Sequence, residues 1–324
     1  MTPPPPSPHG DILMAFLSIW MEGAPFIMVG TILSGFIDAF LPAKLLERML
    51  PRNKVLATLI SGFLGLIFPV CECAVVPVVR RLVQKGLPIS CAMTYLLAAP
   101  IINPVVIIST MTAFGEFGGA NSIAGFSWPA MTIARLSLGY LVAIIVGLTL
   151  IRRKPSDILK TSIAEGIEKR AAVGGHVHEA AVGFNGKMVQ ALRTAMRDFL
   201  DTGMYFTIGI IITAWFDTQV DQTRFGALAA HEWVATPTMI GLAYALALCS
   251  TSDAFIAAPM AAFSLKAKLA FLVFGPMLDV KLTFMYLAVF RRKFVLVLGI
   301  SLFVLIGLLS GPWWGILTHV LPKK

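Results

Sequence analysis

Long apolar runs dominate the pattern of this chain. Ile12–Ile37, Val55–Val70, Met131–Ile151 and Phe294–Leu309 each carry at most one charged residue. They reach or approach the roughly 20 residues that span a hydrocarbon core as helix. The pattern predicts an all-α integral membrane protein. No Lys or Arg precedes Ile12–Ile37, so this run reads as a retained span rather than a signal peptide.

One segment breaks the pattern. Residues 152–190 are largely polar, from Arg152-Arg153-Lys154 through Gly174-Gly175-His176-Val177-His178. They divide the chain into a first membrane repeat, 1–151, a linker loop, 152–190, and a second membrane repeat, 191–324. The two apolar parts correspond. Glu22, Gly30, Phe36 and Asp38 have counterparts in Asp201, Gly209, Trp215 and Asp217, each pair 179 residues apart. Further on, Cys71 matches Cys249, and Ala99-Pro100-Ile101-Ile102-Asn103 matches Gly275-Pro276-Met277-Leu278-Asp279. Such a series in one order is the mark of a duplication.

Charge sets the expected orientation. The connection after the first span carries Lys44, Arg48, Arg52 and Lys54, whereas its counterpart carries Asp221, Arg224 and Glu232. Opposite bias at matching connections predicts an inverted-topology repeat. With five crossing segments per half, both ends outside and loop 152–190 in the cytoplasm, 19 of the 26 Lys and Arg lie inside. If 71–86 and 250–265 are re-entrant hairpins the count falls, giving about 8–10 membrane segments. Residues 39–50 read as a short interfacial helix.

Composition narrows the classes further. The chain is 57% hydrophobic and 13% charged, with a mean hydropathy of +0.82. That excludes a soluble enzyme, a disordered protein and a disulfide scaffold. The net charge of +9 reflects Lys and Arg beside the spans, so nucleic acid is not an expected partner.

Candidate chemistry sits where the apolar runs are interrupted. In Phe68-Pro69-Val70-Cys71-Glu72-Cys73-Ala74-Val75-Val76-Pro77, two prolines predict unwinding around two thiols and a carboxylate. Unwound backbone at membrane depth lines a cavity or is buried in protein, and an intramembrane carboxylate is a functional candidate by default. The bland alternative is packing cysteines and a snorkelling Glu72. The second half answers with Cys249-Ser250-Thr251-Ser252-Asp253, in which Ser and Asp read as caps of a helix beginning inside the bilayer. Asn103 and Asp279 mark a third pair of breaks, and Asp279 has Lys281 as a potential partner. Thiols favour soft ions and metalloids, which makes Cys71 and Cys73 candidate metal ligands, although Cys-x-Cys is a weak signal. Cys91 reads as packing, and His176 and His178 as an exposed pair. No nucleotide fingerprint or catalytic triad appears, and no cofactor is expected.

Pro69-Val70-Cys71-Glu72-Cys73, Pro77, Gly86, Ala99-Pro100 and Asn103-Pro104, with Cys249-Ser250-Thr251-Ser252-Asp253 and Gly275-Pro276, resemble the ArsP/YraQ-type family of predicted permeases. The resemblance covers nearly all the chain outside 152–190. It implies a multi-pass permease of the bacterial inner membrane, related to exporters of trivalent organoarsenicals and to proteins linked with metal-ion efflux. Glu72 stands where such proteins usually carry a small polar residue.

The combined reading is a secondary transporter moving a small solute, a soft metal ion or metalloid species among the candidates. Its midplane site would gather Cys71, Glu72, Cys73 and Asn103 with Cys249, Ser250, Asp253 and Asp279. The partners expected are the lipid bilayer and a small solute or ion, with homo-oligomer formation left open. The rival readings are an intramembrane thiol redox enzyme and a channel.

Overall fold

The computed structural model describes residues 8–42, 51, 53–67, 71–117, 130–153, 155–161, 183–219 and 232–320. The expected interfacial helix, the pair His176 and His178, and Phe68-Pro69-Val70 lie largely or wholly outside them. The described chain is helical, as the apolar runs predict. Its helices are α1 (Pro8–Phe40), α2 (Lys54–Ser61), α3 (Leu64–Ile67), α4 (Glu72–Gln84), α5 (Ile89–Ala98), α6 (Pro104–Phe117) and α7 (Ala130–Thr149). There follow α8 (Pro155–Ile158), α9 (Phe184–Gln219), α10 (Glu232–Leu246), α11 (Asp253–Ala257), α12 (Leu265–Met277), α13 (Val280–Val289) and α14 (Arg292–Val320).

Five stretches among the described residues are long and apolar enough to cross a bilayer: Gly10–Phe40, Ala130–Thr149, Phe184–Phe216, Leu265–Val289 and Arg292–Leu317. Lys54–Leu66, Ile89–Ala98, Pro104–Gly115 and Val234–Leu246 are shorter apolar helices. The outer faces of α1 and α14 expose Leu13, Met14, Met21, Leu296, Val297 and Leu308, the side chains a lipid environment solvates. In contrast, α5 and α12 are buried almost throughout and form the centre.

Each half runs through the same order: a long helix, a shorter apolar stretch, a break, two helices, a second break and two helices. The breaks fall at Cys71 and at 99–103, then at 247–252 and 278–279. The halves also interlock. Helix α4 packs on α13, and α6 packs on α11, so each helix after a break in one half meets a helix after a break in the other. The long helices α1 and α9 pack along one another, with Gly23 against Phe206 and Gly35 against Ala191. As one index rises the other falls, so they run antiparallel.

Two glycines explain how α1 and α9 reach the centre. A Cβ on Gly30 would lie 2.7 Å from the Ala74 Cα of α4, and one on Gly209 would lie 2.8 Å from the Lys281 Cα of α13. Backbone cannot move aside cheaply, so only glycine permits these approaches. Gly30 and Gly209 therefore let the long helices press onto the two helices that begin at the central breaks.

The expected unwinding is narrower than two prolines suggest. Helix α4 continues through Pro77, because a proline in the second turn forfeits one backbone bond while neighbouring bonds and burial hold the helix. Helix α4 ends in a Schellman turn: the Leu87 N–H donates to Leu82 O and the Gly86 N–H to Val83 O, with Gly86 at φ +103°. At 13 residues, α4 covers about 20 Å, short of the roughly 30 Å of a hydrocarbon core. The start of the linker is strapped to the second half: Lys160 N–H donates to Val289 O, and Arg291 N–H to Ile158 O.

Candidate site at the meeting of the broken helices

Helix α4 opens at Cys71 in extended conformation, and α13 opens at Asp279, likewise extended. Helix α10 stops at Leu246 because Ala247 takes a left-handed conformation, φ 45°, which an L side chain adopts at a cost of roughly 1–2 kcal/mol. Three helix beginnings thus face the centre of the molecule, each with a carboxylate in or before its first turn: Glu72, Asp253 and Asp279. The positive end of each helix dipole favours that placement.

Lys281 is the hub of one cluster. Its Nζ donates to Glu72 Oε1 at 3.3 Å and to the Ala247 carbonyl at 2.9 Å, and lies 3.6 Å from Asp279 Oδ2. The left-handed turn at Ala247 is what leaves that carbonyl free of the helix. Ser250 Oγ donates to Glu72 Oε2 at 2.9 Å, which brings the two halves' breaks into direct contact. Asp279 Oδ1 caps α13 by accepting the Leu282 N–H at 2.6 Å. Its Oδ2 is buried without a hydrogen bond.

This cluster borders a cavity of about 220 Å³. Its polar wall includes Cys71, Glu72, Cys73, Cys249, Ser252 and Lys281, and its rim is formed by α1, where Ser18 and Glu22 are exposed. Cys71 and Cys249 are partly exposed there, and Cys73 is buried. Among the described residues no group of three or more His, Cys, Asp or Glu side chains is placed to hold a metal ion.

A second buried cluster lies behind the first. Arg135 of α7 forms a fork with Asp253, Nη1 to Oδ1 at 3.0 Å and Nη2 to Oδ2 at 2.6 Å. The same guanidinium donates to Thr110 Oγ1 at 2.8 Å and to Ser250 O at 3.2 Å. Ser250 therefore touches both clusters, with its hydroxyl in one and its carbonyl in the other.

The expected site residues divide accordingly. Cys71, Glu72, Cys73 and Cys249 line the cavity, Ser250 bonds to Glu72, and Asp279 stands behind Lys281. Asp253 does not line it; its carboxylate is taken by Arg135 rather than serving as a helix cap, and Ser252 holds the N-cap position with its hydroxyl donating back to Cys249 O instead of capping the helix. Asn103 caps α6 instead, its Oδ1 accepting the Val105 N–H at 3.0 Å. Two bases complete these clusters that residue order alone does not assign to a site: Lys281, which lines the cavity, and Arg135, which does not. Each is a lone base in an apolar run, which is a signal in itself.

The model of a family described as predicted permease matches residues 9–311. The chain is 36% identical over 285 residues to the UPF0718 protein YcgR of Bacillus subtilis, covering 87% of this chain and 90% of that one. It is also 36% identical over 293 residues to a Streptococcus mutans protein that carries the name of a two-component membrane permease complex subunit, covering 90% and 91%. A shorter match, 24% identical over 92 residues, is to the UPF0718 protein MJ0584 of Methanocaldococcus jannaschii, covering 28% of this chain and 25% of that one. No solved structure matches.

Proposed function

We propose, for a chain that belongs to the family of predicted permeases, that it is a secondary transporter whose solute binds in the cavity bordered by Glu72 and Lys281. One observation carries the reading. Breaks from both halves meet at a cavity lined by an acid, a base and thiols. Half-helices that begin at such a point are how transporters build solute sites. The antiparallel pairing of α1 with α9 and the repeated element order support an inverted duplication, with rocking of the halves exposing the cavity alternately.

The wall also suggests the cargo. Glu22 and Glu72 against Lys281 leave an excess of negative charge, with Asp279 adding to it, so a cation is favoured. Sulfurs of Cys71, Cys73 and Cys249 favour a soft one. We place the protein in a bacterial plasma membrane, with loop 152–190 in the cytoplasm.

Proteoliposomes loaded with cadmium or silver ions test this. Counterflow of radiolabelled ion that Cys71→Ser and Cys249→Ser each reduce supports a soft-ion carrier. Leak without exchange favours a channel, and counterflow unaffected by either change removes the thiols from the route. No flux with any soft ion would overturn the cargo assignment.

A further inference from the structure

The cavity has a floor, and the floor is made differently from its walls. Helix α4 starts at the cavity and runs to Gln84, so Arg81 lies nine residues, about 13 Å, beyond Glu72 along the helix axis. Helix α1 borders the cavity from Ala15 to Phe26 and then closes on α4 at Gly30. One turn further, Ser34 Oγ lies 2.8 Å from Asp198 Oδ2 of α9, to which it donates, and 3.3 Å from Pro77 O.

Around Ser34 the contact becomes ionic. Arg81 holds Asp198 with two bonds, Nε to Oδ2 at 2.8 Å and Nη2 to Oδ1 at 2.7 Å. Arg80 lies between Asp198 at 3.8 Å and the exposed Asp201 at 3.3 Å. Lys85 Nζ donates to the Asp38 carbonyl at 2.7 Å, and Thr194 donates to Asp38 Oδ2 at 3.3 Å. Three acids and three bases balance, and α1 and α4 of the first half are joined here to α9 of the second.

We propose that this contact is the closed half of the translocation route and that Arg81 and Asp198 are its latch. The assignment rests on the permease reading above. Rocking that carries α4 away from α9 breaks this pair. An ionic seal suits a contact that opens repeatedly. Its charges lose solvation when buried and regain it when water enters, so the open state is not as unfavourable as parting an apolar seal would make it. Arg80, already shared between Asp198 and Asp201, offers an alternative partner during the change. The same structure thus has the site reachable past Ser18 and Glu22 and shut toward Arg81.

Sided labelling tests the latch without knowledge of the cargo, so it can fail while transport succeeds, and the reverse. A membrane-impermeant, positively charged methanethiosulfonate is applied to right-side-out and to inside-out vesicles, and modification of Cys249 is followed by mass spectrometry. In the wild type Cys249 should react from one side only. In Arg81→Gln and Asp198→Asn it should react from the other side as well, at least about tenfold faster than wild type from that side, as a shift in population toward the open form requires. Retained labelling from the first side shows that each variant is folded. If Asp198→Asn proves unstable, Arg81→Gln decides, since it leaves Asp198 its bond from Ser34. Folded variants that react only from the original side overturn the latch, as does a wild type that reacts equally from both.

Discussion

Two buried ion clusters share Ser250 and are built from matching parts, a helix after one break packed on a helix from the other half. They differ in how they are paired, although each keeps one buried atom without a hydrogen bond, Arg135 Nε in one and Asp279 Oδ2 in the other. Arg135 and Asp253 are 1% and 2% exposed, meet as a fork, and use Thr110 and Ser250 O as further acceptors. Glu72 and Lys281 meet through a single bond, share Lys281 with a backbone carbonyl and with Asp279, and border a cavity. A closed, bidentate pair holds helices together; a pair with an open side can exchange partners with an incoming ion. Similar residues at similar breaks thus form a closed pair in one place and a pair open to the cavity in the other, and the second is where we propose that the solute passes.

The comparison can be broken most forcefully at the closed cluster. Arg135→Leu leaves Asp253 buried without its partner, and should lower stability by about 3–5 kcal/mol in thermal or chemical unfolding of the detergent-solubilised protein. Adding Asp253→Leu should recover most of that loss. Lys281→Met makes the same kind of change at the open cluster. There Ser250 still donates to Glu72 and the cavity opens its carboxylate to solvent, so the loss should be smaller, about 2 kcal/mol. Equal losses would erase the distinction.

Smaller effects sharpen it. Gly209→Ala sets a methyl against the Lys281 backbone and should cost about 1–3 kcal/mol through displacement of α13, visible as a lower unfolding midpoint. Ser250→Ala removes the hydroxyl that bonds Glu72 and keeps the carbonyl that serves Arg135. It should cost about 1 kcal/mol and act on the open cluster alone. Ala247→Gly relieves a left-handed alanine and should raise stability by about 1 kcal/mol in the same assay, the only gain among these changes.

Much of this was readable from residue order, for physical reasons. Hydrocarbon demands long apolar helices, so the spans show directly as runs. Breaks at membrane depth need polar company, so Glu72, Ser250 and Asp279 advertise themselves among apolar neighbours. Gly30 and Gly209 stand out as a matched pair, though only the structure shows that each meets backbone. What could not be read was pairing across long separations. Asp253 looks like a helix cap until α7 brings Arg135 to it, 118 positions away in the chain. Asn103 looks like a match for Asp279 and does cap a helix, but α6 lies away from the cavity wall. Pro77 looks like a helix breaker, yet burial among α1, α5 and α13 keeps α4 intact. Proximity in three dimensions decided each of these, and local sequence carries no record of it.

Transport past the Glu72–Lys281 cluster requires that a small solute can enter the space it borders. Per-cysteine modification of the native protein by a small hydrophilic thiol reagent, read by mass spectrometry, measures that entry most directly. Cys71 and Cys249 on the cavity wall should be modified far faster than Cys91, which is 0% exposed within α5, and cadmium ions should slow the first two. Modification of all three at one rate, or of Cys91 before Cys71 and Cys249, would contradict it.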